Sequence, residues 1–546
     1  LTIDADEIHI IGTSKDGQFR SVLSASARLN SKGDSGDLTI KTNNLLVKDG
    51  AQVGAGTLGE GIGGNFIVEA YDIQLIGTSK DNQFISGLFA SAEPNSTGDA
   101  GSITIKTNSL LVKDGAKILV STFGKGKGGN LTIDATDIQL IGTSQDNQII
   151  SGLGASSEVN STGDAGNLTI KTNRLLVKDG AQVGASTFGE GKGGNLTVDA
   201  QDIQLIGTTK DGQFSSGLFA STERNLTGNA GELTIKTNLL LVKDGARVST
   251  STVGEAKGGN LNVNARDIQL IGTSEDGSYI SGLFASADSN STGDAGELTI
   301  KTNTLLVKDG AGIIVQNLGK GRAGNLIIDA DSIRLNNNAL LSANTRNNKI
   351  DSDTEQATIN IKSQELIMRR GSKIFTNATG ENVVGGNINI DTDLLVASEN
   401  SDISANSENF RGGNVRIDAQ GVFGTQFRSQ PTPQSDITAT GATENLSGNV
   451  EVITPRTDIN SGLVELPTIT VETEIADACS TPGYAQSSFT ITGKGSLPPS
   501  PFEPLTGRLN RTKLATLDEV GERKVQGRQA KKKPRRKQNV EAKGWV

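Results

Sequence analysis

The chain has 546 residues, a formal net charge of −9, one cysteine (Cys479) and one histidine (His9). A single cysteine excludes an internal disulfide. One Cys and one His cannot make a zinc site of the usual kind, and they leave almost no room for a Ser-His-Asp or Cys-His catalytic arrangement. Acids and bases are interspersed, so charge gives no case for binding nucleic acid.

From Leu1 onward one phrase recurs, with new starts at Phe66, Leu131, Leu196, Leu261 and Leu326, each 65 residues after the last. The clearest copy runs from Leu131 to Asn195 and has two related halves, LTIDATDIQLIG and LTIKTNRLLVKDGA. Within LTIKT, Leu168 and Ile170 alternate with Thr169 and Lys171. That period of two predicts a strand with one buried face. Each half holds three short apolar runs, in the second half LTIKT, LLVKD and AQVGAST, broken by Gly, Asn, Asp and Ser. The pattern predicts three strands per half with no helix between them. Parallel strands usually need a helical crossover. A coil removes that need, because each turn of chain lies on the one before.

The predicted fold is therefore all-β, a parallel β-helix with three sheet faces, each 65-residue unit making two coils. The first coil of each unit is longer because it carries a loop, TSQDNQ at Thr143 to Gln148 in the clearest copy. A β-propeller is the rival. It is opposed by an aromatic content of only 3% and by later spacings such as Asn387 to Asn414, 27 residues apart. A solenoid tolerates a change of coil length and a ring of equal blades does not.

Residues 1–325 make five two-coil units, and residues 326–456 continue as more varied single coils, in which SGNVEVITP (Ser447 to Pro455) reads as the last strand. The count is about fifteen coils, a stack about 70 Å long at ~4.8 Å per coil. Residues 457–506 read as an extended, proline-punctuated segment, and residues 507–546 as a basic, disordered tail, seven of the ten residues from Arg528 to Lys537 being Lys or Arg.

Asn65, Asn130, Asn195, Asn260 and Asn325 fall at one corner of successive units. They are expected to form a ladder in which side-chain amides bond one another and satisfy turn backbone groups. The loops TSKDGQF (Thr13 to Phe19), TSKDNQF (Thr78 to Phe84), TSQDNQI, TTKDGQF and TSEDGSY (Thr273 to Tyr279) are expected to protrude together every second coil. Phe84, Phe214 and Tyr279 are candidate recognition residues there, for a glycan or a protein. The competing reading tucks them over the third strand as edge packing.

Some parallel β-helices are polysaccharide lyases or hydrolases, whose acids converge on one place. Here Asp134, Asp137, Asp164 and Asp179 recur at Asp199, Asp202, Asp244, Asp294 and Asp309. A catalytic constellation is singular and a set of solvated turn acids is periodic. Neither calcium-roll nor EF-hand spacing occurs. The expectation is a chain with no enzymatic activity, cofactor or metal.

At the GGN-LTI, DIQLIG, LLVKDGAQV and AST phrases, residues 1–456 resemble the filamentous-haemagglutinin-like exoproteins of two-partner secretion systems. Cys479 and SSFTITGKGSLPPSP (Ser487 to Pro501) resemble the C-terminal signature of cyanobacterial members labelled S-layer or haemagglutinin-like. The resemblance implies a right-handed β-helical rod, an outer-membrane transporter as partner and an extracellular or cell-surface location. It further implies that the N-terminal secretion domain precedes Leu1, which falls in mid-coil, so the chain reads as a fragment. The function expected is that of a secreted or surface adhesin. A passive surface-layer component is the alternative, and a lyase or hydrolase a distant third.

Overall fold

The computed structural model describes residues 1–222, 228–289, 291–346 and 357–455. The readings of 457–506, of 507–546 and of Cys479 lie outside the described residues. The described chain is a parallel β-helix. One sheet contains fifteen long strands in chain order, from Thr2–Ile11 through Leu38–Lys48 and Phe66–Ile76 to Asn449–Ile453. A second contains sixteen shorter strands, among them Val22–Ser24, Gln52–Gly54 and Gly87–Phe89. Every pairing of these strands is parallel, and all but that of Gln426–Phe427 with Asp436–Thr438 join a coil to its neighbour, as in Leu131↔Leu168 and Leu168↔Leu196.

The expectation of three sheet faces needs correction. The first two runs of each coil are one continuous strand, such as Leu168–Lys178, and the third side is a ladder of single bridges, Ala27 to Thr57 to Ala92 to Thr122. The alternation explains the join. In Leu131–Ile141 the buried residues are Leu131, Ile133 and Ala135, then Ile138 and Leu140. The period slips by one at Thr136 and Asp137, so both point outward. A strand with strict period two would bury only one side; this slip lets a single strand wrap a corner of the tube. The sequence shows two apolar runs with a polar pair between them, which reads as a break although backbone pairing continues through it.

The core is a set of stacked columns. In one, Val47, Leu75, Val112, Leu140, Val177 and Leu205 follow each other in register, all fully buried. In the short sheet Leu88, Ile118, Leu153, Val183, Leu218 and Val248 do the same. Leucine alternates with a β-branched residue, so large and narrow side chains interdigitate. Each buried aliphatic contributes roughly 1.5–3 kcal/mol, and the core grows by one layer per coil.

Glycine sets how closely coils approach at the turn after the bridge ladder. A Cβ on Gly129 would lie 1.7 Å from the carbonyl oxygen of Gly101, one on Gly166 1.8 Å from that of Gly129, and one on Gly194 1.7 Å from that of Gly166. No side chain fits such a column, and the obstacle is backbone that cannot swing aside. Replacing Gly129 by Ala should therefore cost about 1–3 kcal/mol by overpacking and loosen amide protection in the adjoining coils. Gly33→Ala, where nothing lies within 4 Å, is the control and should leave thermal melting and hydrogen exchange unchanged.

Candidate functional site

The five loops are built alike. Thr78 and Ile85 form an antiparallel bridge, and the same bridge recurs at Thr13–Arg20, Thr143–Ile150, Thr208–Ser215 and Thr273–Ile280. Inside each hairpin an aspartate organises the turn. Ser79 Oγ donates to Asp81 Oδ1 at 2.6 Å, the Gln83 N–H donates to the same oxygen at 3.2 Å, and the Phe84 N–H donates to Ser79 Oγ at 3.0 Å. These bonds hold Asp81, Asp146 and Asp211 below the usual carboxylate range, the Ser or Thr hydroxyl being the larger cause, and bring Asp276 down to about 2.

The loops also brace each other across two coils. Asn82 Nδ2 donates to Asp146 Oδ2 at 2.7 Å, and the Tyr279 hydroxyl donates to the Gln213 carbonyl at 2.7 Å. Phe84, Phe214 and Tyr279 are half-buried, not freely displayed. The Arg20 guanidinium covers Phe84 at 5.3 Å, and Arg247 lies 6.0 Å from Tyr279. The fully displayed aromatic is Phe19, 70% exposed in the first loop.

The asparagine corner is a ladder of a different kind from the one expected. The side-chain amides of Asn130, Asn195, Asn260 and Asn325 do not bond each other. Their Oδ1 atoms accept backbone N–H groups of the next coil, from Asn167 (3.0 Å), Glu232 (2.9 Å), Glu297 (3.0 Å) and Thr358 (3.0 Å). At Asn65 the backbone N–H itself is bound, by Asp37 Oδ1 at 2.8 Å. The reason is the intervening coil, which supplies Asp37, Ser102 or Asn167 at this corner and so separates the repeated asparagines. At this corner, among the described residues, amide-to-amide contact appears where coils shorten, as in Asn414 Nδ2 to Asn387 Oδ1 at 2.9 Å.

The periodic acids are not all turn residues. Asp134 and Asp199 point outward from the long sheet on either side of Lys171, in a row that runs Glu69, Lys106, Asp134, Lys171, Asp199, Lys236. Asp137 and Asp202 flank Arg174, and Asp137 is 3.6 Å from it. Asp164 and Asp294 accept the N–H groups of Lys192 and Arg322. Asp179, Asp244 and Asp309 occupy positive-φ turns beside Lys178, Lys243 and Lys308. Among the described residues no three His, Cys, Asp or Glu come together in a way that could hold a metal.

One concavity departs from the repeat. It is a groove of about 540 Å³ on the outer face of the short sheet, with a floor of Gly152, Gly154 and Gly184 and with Lys117, Arg247, Phe214 and Tyr279 in its lining. Volumes of this order are typical of ligand sites. Lys117 is half-buried, and loss of solvent pulls its pKa down, with Glu158 nearby acting in the other direction. Arg247 is stacked 4.0 Å from the Phe284 ring, and its Nε is buried without a hydrogen-bond partner. Sequence reasoning found two of its aromatics, Phe214 and Tyr279, but not the groove. The available signal was Gly154, which stands where other units have Phe89, Phe219 and Phe284.

Comparison with known proteins finds no matching family, no matching characterised protein and no matching solved structure.

Two outcomes follow. Asn195→Ala should cost about 0.5–1.5 kcal/mol, towards the low end because the corner is exposed, and should speed amide exchange at Glu232. Asn195→Asp keeps the acceptor and should behave as wild type; equal losses in both would overturn the acceptor role. The loop aspartates have folded pKa values below the ordinary 3.8. Their stabilisation is full above that value and is lost as pH falls through about 2, the value for Asp276. Thermal melting should drop across that window, and replacing all five by Asn should flatten the drop.

Proposed function

We propose that the chain is a structural adhesin, a rod that holds a repeating loop ridge and a side groove where a surface or partner can reach them. The observation that carries this is the bracing between loops. Asn82 to Asp146 and Tyr279 to Gln213 tie the second loop to the third and the fourth to the fifth, so these loops are held in pairs and are not independent flexible tips. Rigid display lowers the ordering cost of binding. The resemblance in the GGN-LTI and LLVKDGAQV phrases supports a secreted or cell-surface location and export through an outer-membrane transporter.

The half-burial of Phe84, Phe214 and Tyr279 favours a second reading, a passive surface-layer component whose aromatics serve packing. The two separate in one experiment. Cells lacking the gene should lose attachment to surfaces while keeping normal envelope texture. Normal attachment with altered texture would favour the surface-layer role. Turnover of a polyuronate by the purified chain would overturn both.

A further inference from the structure

The third unit differs from its neighbours in two places on the same side of the rod. Gly154 stands where other units carry Phe89, Phe219 and Phe284, and Ile149 stands where they carry Phe84, Phe214 and Tyr279. In the fourth unit the Phe219 ring folds back over its own strand, its Cζ atom lying 2.9 Å from where a Cβ on Gly217 would be. In the third unit the atoms nearest the equivalent position on Gly152 are Gln182 backbone and not a ring, and Gly154 has only the Leu119 and Ser121 side chains close to it, although both glycines are buried. The next coil adds Gly184 beside Gly154 in register, so the gap is two coils wide. Leu119 borders the gap on one side and Phe219 on the other, and the groove's lining continues one strand further, to Arg247.

The ends of this groove are cationic. Lys117 and Arg247 occupy the same outward column, four strand spacings apart, with Gly152, Gln182 and Gly217 between them in register. That separation is roughly 19 Å. Phe214 and Tyr279 stand along the loop side, with Gln182, Gln213 and Ser156 among the lining groups.

We propose that this groove binds an extended acidic oligosaccharide, a chain of uronate-type sugars lying along the rod axis. The proposal rests on the adhesin reading for its biological setting, but its chemistry stands on the groove itself. Aromatic edges and side-chain amides and hydroxyls match sugar rings and their hydroxyl groups. Carboxylates at either end meet Lys117 and the Arg247 guanidinium, whose Nε lacks a partner. Glu158 also lines the site and leaves an excess of one positive charge among these three. Burial already disfavours the charged Lys117, and an incoming carboxylate relieves that cost. A peptide strand is the weaker candidate: the floor strands are paired with a coil on each side, so no free backbone edge is offered for strand addition.

The test is calorimetric titration of the full chain with oligogalacturonate, with a neutral oligosaccharide of equal length, and with polyglutamate. Oligogalacturonate should bind once per chain, because among the five units only the third lacks both aromatics (the first has Ser24 at the strand position but keeps Phe19 in its loop), and at least tenfold more tightly than the neutral sugar. Gly154→Phe installs the residue of the second, fourth and fifth units; its Cβ meets Leu119 Cδ2 at 2.7 Å and Ser121 Oγ at 3.6 Å, both the mobile ends of side chains. It should close the groove and abolish binding without lowering the melting temperature. Lys117→Gln and Arg247→Gln, copying Gln52 and Gln182 at equivalent positions, should each weaken binding severalfold, and they test the site even if Gly154→Phe misfolds. No binding, one ligand per unit, equal binding of the neutral sugar, or undiminished binding in these variants would overturn the proposal. Polyglutamate binding as tightly as the sugar acid would assign the groove to an acidic peptide instead. Loss of sugar binding in Gly154→Phe with cell attachment retained would sink the groove's role and leave the adhesin reading standing.

Discussion

Backbone hydrogen bonding between coils sets a single spacing, and every other part of the molecule must fit it. At about 4.8 Å the aliphatic columns interlock, the asparagine corner reaches one coil and no further, and the glycine turns close to within backbone contact. The Gly101–Gly129–Gly166–Gly194 column shows the constraint most plainly, because its carbonyl oxygens occupy the space of the missing Cβ atoms. Part of the glycine content, 68 residues, answers this steric demand, which recurs in a second column at Gly98, Gly126, Gly163 and Gly191.

The spacing does not by itself explain why the sequence repeats every two coils. Three features of the register do. The outward row alternates acid and lysine from Asp4 to Lys236, the column at Val47 alternates Val and Leu, and only every other coil carries a hairpin loop. Opposite charges on adjacent strands contribute about 0.2–1 kcal/mol each, which is little for stability. Their effect on specificity is larger, since a slip of one coil would set Lys against Lys, acid against acid and Leu against Leu along the whole stack. The alternation fails at Asn264 and again at Asp391 beside Asp418, where the regular array gives way or has already ended.

Against this regularity the third unit stands out by what it lacks. Two aromatic positions are emptied on one face while the core beneath keeps its pattern, Leu153 and Val183 remaining in their column. The fold tolerates the change because the outer face of the short sheet contributes nothing to the interior. A solenoid can therefore vary a surface unit by unit without disturbing its stack, and a groove can arise by deletion of side chains alone.

The amino-acid sequence was sufficient for the all-β class, the coil count, the two-coil period and the strand at Asn449–Ile453, because hydrophobic period and turn residues are local signals. It was misleading wherever an outcome depended on which atoms meet across coils. The polar pair Thr136–Asp137 looks like a strand break, yet inter-coil pairing carries the strand through it. Equal spacing of Asn130 and Asn195 suggests contact, yet the coil between them supplies Asn167 as the actual neighbour. For the loop aromatics the sequence left display and packing both open, and contacts with Arg20 and Gln213 show packing at two of them. The groove was invisible, because it is made from residues of four or more coils that share only a surface. Periodicity along the chain determines what each coil is; only the stacking decides which residues of different coils become neighbours.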